Sequence, residues 1–350
     1  MDRRAFLKTT GAAAGAAAVP IAVTSASDAV ATPAVTKGLR QLSLASQFPS
    51  DWPVLGDFTA RLARRVAMLS DSRLTLAISI PDKPQHTEAA DVCLGSPCAL
   101  APLDVTFEML AGVPEGLTGD HIDGWLGVGG GRALWDDLAF SYGRKMLYAG
   151  RSGGAGGFWL REHLPVRPVI AAAGTVARAL AGLGVRTASQ AEAQAGKSVS
   201  IDGVEGLAPM VDLASGLTES LPIHVTAGLP GAERIFALHM DAALWHGLAT
   251  GEQILLETAV AAEAAQVAAT LVAHAPMALA TIAARSGRTG TAPPPELTRL
   301  LPDAAARSKL RDDLLDWYAQ QSPAARRIAG SYRAFVHLVS GSSDRLSPLA

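Results

Sequence analysis

Five of the eight residues from Gly150 to Gly157 are glycine, and they follow directly on the apolar run Lys145-Met146-Leu147-Tyr148-Ala149. Such a stretch is poor helix material, since each interior glycine costs about 1 kcal/mol against alanine. It suits extended chain that passes close to other groups. The same residues also spell G-x-S-x-G, from Gly150 through Ser152 to Gly154, the pattern of a hydrolase nucleophile elbow. An elbow needs a helix straight after the serine, so that backbone N–H groups point at an oxyanion. Gly153, Gly154, Gly156 and Gly157 stand there instead, poor material for that helix; the other reading is a glycine-rich crossing between two parts of the chain. A hydrolase reading would take Ser152 as nucleophile, His224, His239 or His246 as base, and Asp212 or Asp241 to orient that base.

Upstream, Leu39 to Pro49 alternates like a strand. Phe58, Leu62, Val66 and Leu69 then share one helical face, with Arg61, Arg64 and Arg65 largely off it. A second strand, "RLTLAISI", ends before Pro81. Strand, helix and strand in that order require a right-handed crossover and a parallel sheet. The stretch 116 to 143 predicts two helices around Gly127 to Gly131, followed by the strand at 145. Val169 to Ala172 is a candidate strand, with Gly174-Thr175 opening a short helix. Arg234 to Met240 is another strand, and a helix follows it. From residue 251 onward the pattern is helical, with a break expected near Pro276.

The glycines at 127 to 131 do not fit G-x-G-x-x-G, and "AEAQAGKS" (191 to 198) lacks the first glycine of a P-loop, so neither nucleotide motif holds. The charges are scattered and the formal net charge is -2, so no basic block points to nucleic acid. Cys93 and Cys98 could form a disulfide in an oxidising compartment or remain two thiols. The Ala-rich run from 259 to 284 has the length of a membrane span, but Glu263, Gln266, His274 and Pro276 make that role costly, which predicts packed helices in a soluble mature protein.

The N-terminal residues 1–31 read as an export signal. Arg3-Arg4-Ala5-Phe6-Leu7-Lys8 is similar to the twin-arginine pattern, an uncharged small-residue run follows, and Ala29-Val30-Ala31 gives a cleavage site. Residues 32–38 form a linker. The expected location is the periplasm, reached in the folded state.

Six stretches in order resemble the DctP-type solute-binding subunits of TRAP transporters, in the branch associated with keto acids and other small carboxylates. They are "LASQFP", "GVPEGLTGDHIDGWLGVGGGRALWDDL", "AGRSGGAGGFWLRE", "IDGVEGLAPMVDLASGL", "LHMDAALWHGL" and "SYRAF". The resemblance implies an α/β fold of two lobes, type II-like, with the ligand in the cleft between them and a C-terminal helical region packed across both. It places the first lobe at 39–152 with 233–258, the second at 153–232, and the spanning helices at 259–350. The function it implies is capture of a small organic solute for membrane permease subunits, without catalysis; nucleic acid is excluded, and a homodimer is allowed.

The resemblance also locates a ligand site in which several family side chains are missing. Ala155 stands where relatives carry a glutamine, and Ala171 where they carry the arginine that clamps a carboxylate bidentately. Of a Glu-Trp pair that helps hold a cation, sodium or calcium, Glu205 remains and Gly206 replaces the tryptophan. A later metal-ligand position falls near Pro230, three residues from Glu233. Arg151 and Arg167 could supply the missing positive charge, and Gly174-Thr175 could offer backbone donors to an anion or merely cap a helix. The segment 78 to 92 is shorter than in relatives, which reshapes one edge of the cleft. Pyruvate-like acids are therefore expected to bind poorly. The remaining alternatives are the hydrolase and a binding protein that serves as a sensor or partner subunit.

Overall fold

The computed structural model describes residues 38–79, 90–112, 114, 117, 119–153, 157–165, 167–188, 201–225, 233–286 and 303–346. The export signal, the segment 80–89, Ala155, the stretch 191–198 and Pro230 lie outside the described residues.

The first sheet starts with strand β1 (Arg40–Ser46), helix α1 (Phe58–Leu69) and β2 (Leu74–Ile78). β1 and β2 pair in parallel, as the crossover requires. Phe58, Leu62 and Val66 of α1 are fully buried against this sheet, as the helical periodicity expects, whereas Leu69 at the end of the helix is 52% exposed. β3 (Val92–Gly95) pairs in parallel with the other edge of β1. Three short helices follow, α2 (Thr106–Ala111), α3 (Gly119–Gly127) and α4 (Gly131–Ser141), before β4 (Arg144–Arg151).

From Arg151 the chain leaves for a second sheet. Its members are β5 (Gly157–Leu160), β6 (Val169–Ala171), helix α5 (Gly174–Gly182), β7 (Arg186–Ala188), β8 (Gly203–Gly206), helices α6 (Pro209–Ala214) and α7 (Leu217–Ser220), and β9 (Ile223–Val225). The chain then returns to the first sheet as β10 (Ile235–Asp241) and continues through α8 (Ala242–His246), α9 (Thr250–Ser286), α10 (Ala304–Ala319) and α11 (Pro323–Leu346). The two five-stranded orders are β2-β1-β3-β10-β4 and β7-β6-β8-β5-β9. β10 is antiparallel to both neighbours, and Ile235 lies opposite Arg151. Outgoing and returning strands therefore run side by side where the chain passes between the sheets.

α9 joins the two halves. Leu256, Ala259, Val260, Val267 and Leu271 belong to the core beneath the first sheet, while Ile282 packs with Trp159 and Leu221 of the second. It is long and apolar enough to cross a membrane, with a mean hydropathy of 1.7. Its Glu263, however, is 1% exposed and ion-paired with Arg61 and Arg65 of α1 at 2.8 Å each. A carboxylate so held belongs to a tertiary interface. The break expected at Pro276 does not occur: α9 is continuous through it. Burial of Ala275, Ala278 and Ile282 on either side holds the helix in register across the hydrogen bond that proline removes.

The glycines of the crossing answer to this helix. Gly150 has φ +120°, and a Cβ there would meet the Ala264 carbonyl at 3.2 Å. Gly153 has φ +86° and would press on Val272 at 2.8 Å. The close approach at these two positions is to α9. Cys93 and Cys98 are not joined by a disulfide; the first sits in β3 and the second in the one-turn 3-10 helix Pro97–Leu100.

Candidate functional site

Where the chain crosses, Ser152 N–H donates to the Arg234 carbonyl at 2.8 Å, and Arg234 N–H donates to Ser152 Oγ at 3.0 Å. The hydroxyl thus completes the pairing of the two crossing strands. The candidate bases lie elsewhere: the His224 ring is against Trp159 (4.3 Å between centroids) and the His246 ring against Phe140 (5.5 Å). His239 lies within β10 with its Nε2 buried. This geometry gives Ser152 a structural task.

Arg234, at the entry to β10, is 8% exposed and points its guanidinium across to Glu205 on β8, with which it forms a close ion pair. Glu205 Oε2 also accepts from the Ala173 N–H at 3.2 Å. Glu205 Oε1 is buried and has no hydrogen-bond partner among the described residues. Burial pushes this carboxyl up to about 7, against the opposing pull of Arg234 and the Ala173 N–H. A cation from one sheet and an anion from the other thus meet at the junction, with one acceptor unsatisfied.

Around this pair the two halves touch. Arg178 of α5 donates to Glu108 of α2 at 2.5 Å and lies over the Trp317 ring at 3.9 Å. Thr175 Oγ1 donates to the Glu108 carbonyl and contacts Tyr318 Oη, both at 3.1 Å. Thr175 is therefore not the cap of α5; Ala173 occupies that position and makes no side-chain cap bond. A Cβ at Gly174 would reach Cys98 Sγ and Glu108 Cβ at 3.4 Å. The Cys98 thiol is pushed up to about 11, chiefly by burial and next by Glu108, so it stays a neutral thiol near neutral pH.

The structure brings together Ala171, Gly174, Thr175, Glu205 and Gly206 from the sequence-based set, whereas Arg151, Arg167 and Glu233 face other partners or solvent, and Ala155 is outside the described residues. Ala171 is fully buried in β6 beside β8. Gly206 has no space for any side chain, because a Cβ there would meet Asp212 Oδ2 and Trp159 Nε1 at 2.7 Å. Trp159 donates to that Asp212 oxygen at 2.8 Å, so a tryptophan and a carboxylate from other elements fill the volume next to Glu205. Arg151 is 8% exposed and spends its donors on Asp123 (3.1 Å), Asp120 (3.2 Å) and Glu233 (3.6 Å). Arg167 is exposed on the loop before β6.

Glu233 accepts from the Gly153 N–H at 2.6 Å and faces Arg151. Of the residues named for a metal, Glu205 Oε1 is the oxygen that lacks a donor. Among the described residues no group of three or more His, Cys, Asp or Glu side chains could hold an ion. Calcium takes six to eight oxygens, so this donor set does not fit it. Sequence reasoning missed Arg234, Glu108 and Arg178. Arg234 stood beside Glu233 at the start of a predicted strand, and only the pairing of the two crossings turns it toward Glu205.

No family model matches the sequence, and no curated protein is similar to it. Solved structures are. A TRAP periplasmic solute-binding protein of Colwellia psychrerythraea, with bound calcium and pyruvate, superposes with TM-score 0.75 at 18% identity, covering 89% of this chain and 98% of that one. The corresponding protein of Pseudoalteromonas atlantica, with sodium and pyruvate, gives 0.76 at 19% identity, covering 89% and 98%. One from Bordetella bronchiseptica, a mixed-occupancy dimer with calcium and picolinate in its occupied site, gives 0.75 at 17%, covering 89% and 96%. Agreement over nearly the whole of each chain shows that the fold here is the two-lobe fold of these binding proteins.

Proposed function

We propose that this chain is the extracytoplasmic solute-binding protein of a TRAP-type transporter, and that it captures a small organic carboxylate between its two sheets. Delivery to membrane permease subunits and a periplasmic location, reached through the twin-arginine-like signal of residues 1–31, complete the reading. The observation that carries it is the Arg234–Glu205 pair, one residue from each sheet, at the junction of a fold shared with proteins that hold pyruvate or picolinate. Arg234 takes over the carboxylate clamp that Ala171 cannot supply, approaching from the returning strand. Its planar fork has donors beyond the one given to Glu205. Gly174, Thr175 and Glu108 line the same junction.

The reading assigns no catalysis to Ser152, whose hydroxyl belongs to strand pairing. It names no resident metal either, since among the described residues no group of three or more His, Cys, Asp or Glu side chains could hold one. The test is native mass spectrometry on protein isolated under non-denaturing conditions from the periplasm of its host. A stoichiometric carboxylate adduct, released by mild unfolding and absent from Arg234→Ala, is the expected result. Protein that carries no adduct and acquires none from a broad panel of carboxylates would refute the proposal.

A further inference from the structure

Glu205 Oε1 sets a condition on the solute that a simple clamp does not. The residue is 6% exposed, and its second oxygen already accepts from Arg234 and from Ala173 N–H. Among the described residues Oε1 has no donor, and a buried carboxylate oxygen without a partner is disfavoured. The junction holds no surplus positive charge: Arg234 faces Glu205, Arg178 faces Glu108, the Cys98 thiol is neutral, and Asp212 beside Glu205 is a further carboxylate. A plain anion would place a second carboxylate on Arg234, leave Oε1 unsatisfied and give the buried junction an excess negative charge. A molecule carrying a carboxylate and a cationic N–H donor side by side would satisfy both and add no net charge.

We propose that the solute is an amino- or imino-carboxylate whose carboxylate takes the remaining donors of Arg234 and whose N–H group, on the adjacent carbon, donates to Glu205 Oε1. The inference rests on the reading that the solute lies at this pair, and it names the solute's chemistry. It also explains why Glu205 stands here without a tryptophan at 206: the neighbouring volume is taken by Trp159 and Asp212, and the carboxylate serves a ligand donor instead of completing a cation site.

Two matched series isolate the 2-substituent: alanine, lactate and pyruvate, and leucine with its 2-hydroxy and 2-oxo counterparts. Calorimetric titration of the exported protein, stripped of ligand by unfolding and refolding, should show the amino member of at least one series binding about tenfold or more tighter than its partners, the worth of one hydrogen bond to a charged group. Trimethylated alanine keeps the charge but has no N–H, and should lose that advantage without any change to the protein. Glu205→Gln should weaken the amino acid and strengthen the oxo acid, since Arg234 then lacks its counter-charge. An oxo or hydroxy acid that binds at least as well in both series overturns the inference while leaving the solute-binding reading intact. So does an amino preference undiminished in trimethylated alanine, or binding that strictly requires added calcium or sodium, which would put a cation on Oε1. If neither series binds, the inference falls, and failure of a wider carboxylate panel takes the solute-binding reading with it.

Discussion

Ser152 and Arg234 show how much a single hydroxyl can do without chemistry. Ser152→Ala leaves the buried Arg234 N–H without its acceptor, a loss of about 1–3 kcal/mol. Denaturant unfolding should register that loss, and a serine-reactive phosphonate should leave Ser152 of the wild type unlabelled; labelling there would restore the hydrolase. His239 gives a pH signature. Burial, and next to it the Arg144 charge, lowers its pKa from 6.5 to about 4. Above pH 6.5 both folded and unfolded states hold the ring neutral. Below it the unfolded chain binds the proton first, so stability falls between pH 6.5 and 4. The difference would reach about 3 kcal/mol for a fully enclosed ring, and partial exposure of the residue reduces it to about 1–2 kcal/mol. Glu205 and Asp212, both pushed up by burial, act in the opposite sense, losing stability as pH rises. The His239 effect is therefore read as the difference between wild type and His239→Gln, which should shrink as pH falls from 7.5 to 5. A constant difference would show that the ring titrates normally.

At the scale of elements, the helix α9 and its partner α1 are fastened by one carboxylate. Glu263→Gln leaves Arg61 and Arg65 without their shared counter-charge. Breaking a fully buried pair costs about 3–5 kcal/mol, and with the Arg65 side chain 34% exposed the expected loss is about 2–3 kcal/mol, measurable by chemical denaturation. An unchanged midpoint would mean that the apolar face of α9 alone sets the interface. The crossover of β1, α1 and β2 was legible because apolar residues at periods of two and 3.6 dictate strand, helix and the parallel pairing between them. The extended crossing after β4 was legible from its glycines, although their approach is to α9. Pro276 misled because a local rule about proline was applied to a helix whose neighbours on both sides are held by long-range packing. Arg234 and the Arg178–Glu108 pair were illegible for a related reason: each acquires meaning from a partner 29 to 70 residues away in sequence, on another sheet or helix, and no periodicity announces that.

On the scale of the whole molecule, the two sheets are linked by the crossing strands, by α9 and by the contact of α5 with α2. Arg178 closes that last contact by its bond to Glu108 and its stacking on Trp317, so Arg178→Ala should shift the unliganded protein toward a more open form, seen as a larger radius of gyration in solution scattering. No change would assign the arrangement of the two sheets to the crossing strands and α9. Export belongs to this scale as well: replacing Arg3 and Arg4 by lysine should hold the protein in the cytoplasm, and undiminished periplasmic accumulation would exclude the twin-arginine route. The central claim is that a small carboxylate binds at the Arg234–Glu205 pair between the sheets. Thermal unfolding across a carboxylate panel tests it most directly, because a ligand at a hundred times its dissociation constant adds about 2.7 kcal/mol. The account predicts saturable stabilisation by at least one carboxylate, lost in Arg234→Ala and retained in Arg167→Ala. Stabilisation that survives in Arg234→Ala, or a panel in which no compound stabilises the wild type, would contradict it.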